Sequence, residues 1–256
     1  MRKSVAALLS GFVIAGTVAI AHAQWLNYPT PGIPRLPDGK PNLSAPAPRT
    51  PDGKIDLTGV WQRINEGGAV RFAGSASSPA HLTAWASAIR DQRQANLSRD
   101  IPTSKCLPSG IPPDMLRQIP FKIIQTPMVT AILIEEFNNW RQIFTDGRPL
   151  PTNPEPAWFG YSVGRWERDT LVVETSGFND KTWIDGGGTP HSEALRLTER
   201  FRRLDFGHLE IEYTFEDPKA FVQPFSATMK FGLLADTDLL DHQCENEKDA
   251  GHLVGK

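Results

Sequence analysis

The stretch His208-Leu209-Glu210-Ile211-Glu212-Tyr213-Thr214-Phe215-Glu216 carries the fold assignment. Leu209, Ile211, Tyr213 and Phe215 alternate with His208, Glu210, Glu212 and Thr214. Successive side chains of an extended chain point to opposite faces, so this period of two predicts a half-buried β-strand. Working outward, the same period recurs through 121–126, 129–136, 140–145, 161–167, 170–176, 194–203, 226–234 and 239–244, and 57–61 reads as a first short strand. Turn residues separate these runs: Asn138-Asn139, Asp146-Gly147, Arg168-Asp169, Asp205-Phe206-Gly207 and Asp217-Pro218. Many short strands joined by tight turns, with no helices between them, predict an all-β protein. The expected architecture is an antiparallel β-barrel of about eight to ten strands, lipocalin-like, with an interior able to hold a ligand. A β-sandwich is the alternative.

One helix interrupts the pattern. Leu82, Trp85, Ala86 and Ile89 recur at three- and four-residue spacing, which predicts a helix over 79–97 capped at Ser78-Pro79. Upstream lies an arm, 24–58, carrying Pro29, Pro31, Pro34, Pro37, Pro41, Pro46, Pro48 and Pro51. Such a segment runs extended, because proline cannot continue a helix. Within it Pro37-Asp38-Gly39-Lys40 recurs as Pro51-Asp52-Gly53-Lys54, two turn signals that fit an arm wrapped over the main domain and pinned by Trp25 and Tyr28. The expected division is a signal peptide 1–23, the arm 24–58 and a barrel domain 59–256.

The signal peptide rests on Arg2 and Lys3, the apolar run Val5 to Ile20, and Ala21-His22-Ala23 before Gln24. It predicts cleavage near Ala23-Gln24 and a periplasmic or secreted protein with no membrane span afterwards. Cys106 and Cys244 are the sole cysteines. An oxidising compartment favours a bridge between them, with two separate thiols as the alternative. The whole chain has 256 residues and a formal charge of −2, without a basic block, which argues against nucleic acid as a partner.

The strings RQIFTDGRPLP (141–151), GYSVGRWERDTLVVETSGFND (160–180), SEALRLTERFRRLDFGHLEIEYTFEDPKA (192–220) and CENEKD (244–249) resemble a family of exported, mostly uncharacterised bacterial proteins. The resemblance implies export and says little about reaction. The likeness to lipocalin-type barrels is one of fold alone.

Candidate chemistry centres on Trp183-Ile184-Asp185-Gly186-Gly187-Gly188-Thr189-Pro190-His191-Ser192-Glu193. If 191–201 is extended, His191, Glu193 and Glu199 share a face with Leu195, Leu197 and Phe201. That face would put His191 and Glu193 at the barrel rim and Glu199 deeper. Imidazole beside carboxylates suits proton transfer, so the expected catalytic residues are His191, Glu193, Asp185 and Glu199. A buried Glu199 needs a partner, Arg141 or Arg165. Asp185, His191 and Glu193 could alternatively hold a metal, although no His-x-His or HExxH spacing supports one. Arg141, Asp146 and Arg148 could form a carboxylate clamp, and Trp140 and Trp183 could line an aromatic pocket. No P-loop, GxGxxG, GxSxG or CxxCH occurs, so no cofactor is implied.

These readings converge on a cofactor-independent enzyme performing elimination, isomerisation or hydrolysis on a small apolar or aromatic molecule. The alternatives are a non-catalytic binding protein for such a molecule, and an envelope interaction protein using the arm.

Overall fold

The computed structural model describes residues 28–64, 70–74, 78 and 80–244. The signal-peptide residues, Trp25 and Pro79 lie outside the described residues. Nine strands form a closed barrel in sequence order. They are β1 (Gly59–Arg63), β2 (Phe121–Gln125), β3 (Val129–Ile134), β4 (Asn139–Phe144), β5 (Tyr161–Glu167), β6 (Thr170–Ser176), β7 (Arg196–Arg203), β8 (His208–Glu216) and β9 (Phe225–Leu233). The expected all-β barrel is therefore present.

Two details differ from the expectation. The sheet is mixed, because β4 and β5 run parallel through Ile143↔Ser162 and Phe144↔Val163. Parity requires it: nine strands alternating in direction cannot close on themselves without one parallel pair. Asp146-Gly147 consequently starts a crossover from one barrel end to the other, over residues 145–160, and is not the turn of a hairpin. The tenth expected strand, 239–244, is irregular. The outer edge of β9 is already taken by β1, through Trp61↔Leu233 to Arg63↔Phe231, which leaves no edge to extend. Residues 239–244 instead lie along the β3–β4 connection, where Leu240 N–H donates to Glu135 (2.9 Å) and Asn138 Nδ2 to Asp241 (2.7 Å). The Cys106–Cys244 disulfide ties down their end.

Alternation fills the barrel. Trp61, Phe121, Tyr213, Phe215 and Phe231 point inward and are 0% exposed. A side chain that no water-sized sphere can touch borders no void fit for a ligand. The roomy interior expected from the sequence is thus replaced by a packed core. The polar faces carry cross-strand pairs such as Arg165–Glu174 and Arg200–Glu167 (both 2.8 Å).

Both ends are plugged. At one end the arm lies across the barrel, burying Ile55 and Leu57. Its two Pro-Asp-Gly turns are equivalent: Gly39 and Gly53, both at φ +83°, donate to Leu36 and Thr50 carbonyls. Arg35 and Arg49 each grip their own turn and an aspartate of the main domain, Asp236 and Asp169. Arg203, closing β7, donates to the carbonyls of Asp56 and Thr58 and stacks on Trp61 and Phe206. Burial lowers its pKa to about 10.

At the other end sit the described residues 70–74 and 80–120 with the loop 177–195. Phe72 plugs the barrel there, 5.3 Å from Phe215 and 5.8 Å from Phe225 between ring centroids. The helix α1 (Ala84–Ala95) is shorter than expected, since Thr83 is its N-cap, with Oγ1 accepting from Ala86 N–H (3.3 Å). Leu82 is drawn into a bridge with Phe221 and cannot be helical. Among the described residues no helix is long and apolar enough to cross a membrane.

Candidate functional site

β4 turns Arg141 and Ile143 inward and Trp140 and Gln142 outward, as its period of two requires. Arg141 then reaches across the interior to Glu199 on β7. Nη1 donates to Glu199 Oε1 (3.0 Å) and Nη2 donates to Oε2, a bidentate pair with both side chains at most 1% exposed. Nε and Nη2 also donate to Ser162 Oγ (3.1 and 3.0 Å), and Nη2 to Thr175 Oγ1 (2.8 Å). Ser162 and Thr175 hydrogen-bond each other at 3.0 Å. Of the two expected partners for Glu199, Arg141 takes the role, while Arg165 faces outward. Tyr213 lies opposite Glu199 in the β7–β8 register. Its hydroxyl is buried without a hydrogen-bond partner among the described residues. Burial, then the Glu199 charge, push its pKa well up, so it stays protonated.

The parallel β4–β5 pair spans only two registers, so the strands diverge beyond Ile143 and Ser162. A lateral cleft of about 510 Å³ opens in that fork. Trp140, Trp158, Phe144 and Tyr161 wall it, and Arg141 and Ser162 lie at its inner limit. Trp140 is 62% exposed. Phe144 and Tyr161 stack at 5.2 Å. Arg148 covers Phe144 (3.9 Å to the ring) and donates to Tyr161 Oη (3.0 Å). Arg148 also chelates Asp146, which lowers the Asp146 pKa, chiefly through that side-chain hydrogen bond. The expected three-residue clamp is therefore divided: Arg141 serves the interior, and Asp146 with Arg148 buttress the cleft's outer wall.

The glycine loop has a different organisation from the expected rim cluster. β7 begins at Arg196, and Leu195 N–H donates to Ser192 O in a turn, so 191–195 do not continue the strand face. Glu193 is exposed, whereas His191 is 2% exposed. His191 Nε2 meets Thr182 Oγ1 (2.7 Å) and Nδ1 meets Ser192 O (3.1 Å). Burial, the largest influence, lowers its pKa and keeps it neutral. It reaches neither the lateral cleft nor the cavities at the barrel ends. Asp185 organises the loop: Oδ1 accepts from Gly187 and Thr189 N–H (2.9 and 3.2 Å), and Oδ2 from Phe72 N–H (2.6 Å). Trp183 is buried under Arg93 (4.7 Å). Asp185, His191 and Glu193 do not converge, and among the described residues no group of three His, Cys, Asp or Glu could hold a metal.

A further ionisable group has no counterpart in the sequence reading. Asp114, in the short helix α2 (Pro113–Leu116), and Glu136, just after β3, are 0% and 3% exposed. Arg117 Nη1 donates to Glu136 Oε1 (2.6 Å), and Asp114 Oδ1 accepts from Ser109 N–H (3.1 Å). Burial, then Glu136, push the Asp114 pKa well above the usual carboxylate range. The pair forms only when the 101–118 segment packs on the β3–β4 connection, and the one local signal is Asp114 following the Pro112-Pro113 break.

Comparison with protein-family models, curated proteins and solved structures found no match.

Proposed function

We propose that this chain is an exported barrel protein that binds a small, flat, apolar or aromatic molecule in the lateral cleft between β4 and β5. The observation that carries this reading is Trp140, 62% exposed on the wall of an aromatic cleft whose inner limit is the fixed Arg141–Ser162 pair. Large rings stack face to face or edge to face, and a planar ligand covers indole surface that water otherwise wets. The Arg141 network is held by Glu199, Thr175 and Ser162, so it presents a rigid polar floor at little ordering cost. A polar substituent on the ligand would orient toward Ser162. Export agrees with the Cys106–Cys244 disulfide, a bond that persists in oxidising compartments.

The test is native mass spectrometry of the chain from Gln24 onward, followed by titration of whatever aromatic molecule is retained. Trp140→Ala is expected to weaken binding about tenfold, or ~1.4 kcal/mol. Equal affinity in the variant would remove the cleft from consideration.

A second proposal keeps the acid–base reaction type but moves it from His191, Asp185 and Glu193 to the lateral cleft, where Ser162 lines the wall and Arg141 joins it to Glu199. In that reading the barrel would carry out elimination, isomerisation or hydrolysis without an organic cofactor. Chemical analysis of the recovered ligand separates the two: a binder returns it unchanged.

A further inference from the structure

A second cavity, of about 520 Å³, is lined by the 101–118 segment, the end of β1 and the loop at Trp183–Gly186. Its polar groups are unlike those of the lateral cleft. Ser109 is among the residues lining the cavity and is 4% exposed, and its hydroxyl has no hydrogen-bond partner among the described residues. A buried hydroxyl left that way is costly unless something from the cavity meets it. Arg117 also lines the cavity, with a side chain 31% exposed. It spends one N–H on Glu136 Oε1 (2.6 Å) and one on Thr103 Oγ1 (3.4 Å). A guanidinium has five N–H donors, so the others remain for a ligand. Arg63 brings a second guanidinium to the same wall.

Asp185 borders the space too, but its oxygens are committed to three backbone N–H groups of the glycine loop and Phe72, so it offers no acceptor to a ligand. The apolar part of the lining includes Ile101, Pro102, Leu116 and Trp183, and Thr103 and Gln118 add two neutral polar side chains. The donors of Ser109 and Arg117 beside apolar walls select a ligand with two acceptor oxygens on a compact hydrophobic body. Planar carboxylates fit the guanidinium fork.

We infer that this cavity is a binding site for a small monocarboxylic acid with an apolar body, its carboxylate held by Arg117 and Ser109. Glu136 has a positioning role, since it anchors one edge of Arg117.

The experiment is isothermal titration of the full chain from Gln24 onward with phenylacetate and hexanoate, beside neutral phenylacetamide, and with hydrogen-exchange mapping of the bound state. The expected result is saturable one-to-one binding of the acids, at least tenfold weaker binding of the amide, and new protection over residues 101–118. Ser109→Ala should weaken the acids three- to tenfold and Arg117→Gln at least tenfold. If Arg117→Gln fails to fold, Ser109→Ala decides. Absence of saturable binding, equal affinity for acid and amide, or an unchanged Ser109→Ala affinity overturns the assignment and leaves ordered water as the partner of Ser109. Protection confined to 139–162 overturns it as well, by placing the ligand in the lateral cleft.

Discussion

Replacing Arg141 with methionine keeps the volume near that of the original stem and removes the charge that Glu199 faces. Glu199 is then a carboxylate at 0% exposure with its bidentate partner gone. Ser162 and Thr175 still bond each other at 3.0 Å, so the hydroxyls add little to the loss. The dominant cost is an uncompensated buried charge, about 3–5 kcal/mol. For a chain of this size each kcal/mol lowers the Tm by roughly 2–4 °C, so the expected fall is about 6–20 °C. In Arg141→Met/Glu199→Leu neither charge remains, and the expected stability lies within about 2 kcal/mol of the parent, on either side of it. Guanidinium denaturation under non-reducing conditions, followed by tryptophan fluorescence and circular dichroism, measures both, with a constant slope certifying the same unfolding reaction. A double variant as unstable as Arg141→Met would refute the reasoning, because the cost would then lie in lost packing and not in the stranded carboxylate. So would an Arg141→Met loss below about 1 kcal/mol.

Three other perturbations read separate parts of the molecule. Tyr213→Phe deletes a buried hydroxyl that has no partner among the described residues, so denaturation should find the variant unchanged or more stable by about 1 kcal/mol; a loss above that size would mean the hydroxyl is satisfied. Asp114 has its folded pKa raised, so the native state binds its proton more tightly than the unfolded chain. Its contribution is complete below the unfolded value of about 3.9 and is lost as pH rises through the folded value. Asp114→Asn should therefore gain on the parent as pH rises above about 4, and parallel stability–pH profiles would contradict the raised pKa. Replacing both Cys106 and Cys244 with serine opens a loop with a sequence separation of 138, for which chain entropy sets a loss of up to ~5 kcal/mol. A differential scan comparing the variant with the oxidised parent checks it, and an unchanged Tm would show that the 239–244 segment is held without the bridge.

Strand positions were legible because period two is a local property: β8 reads at 208–216 by the expected limits, and β5 and β6 likewise. The Arg141–Glu199 pair was half legible, since a charge on an apolar strand face announces a need for a partner without saying which strand supplies it. The rim cluster failed for a corresponding reason. His191 and Glu193 keep a period-two spacing from Glu199, but Asp217 accepts Ser192 N–H (2.6 Å) and Ser192 Oγ (2.9 Å), which turns the chain before β7 begins. Asp114 and Glu136 were barely legible, because beyond the Pro112-Pro113 break before Asp114 each sits in an ordinary local context and acquires its chemistry from the other.

The residue pattern by itself determined that this chain makes β-strands, where they lie, and which of their faces turn away from water, since alternation and turn residues act within a few positions. Closure belongs to the tertiary structure alone. Once β9 pairs with β1 the strand number becomes odd, one neighbouring pair must run parallel, and that short β4–β5 contact opens the lateral cleft. Burial of His191, the raised pKa of Asp114 and the pairing of Arg141 follow from which distant segments come to lie against them. A titratable group responds to the charges and water within a few ångströms, whatever its neighbours in sequence.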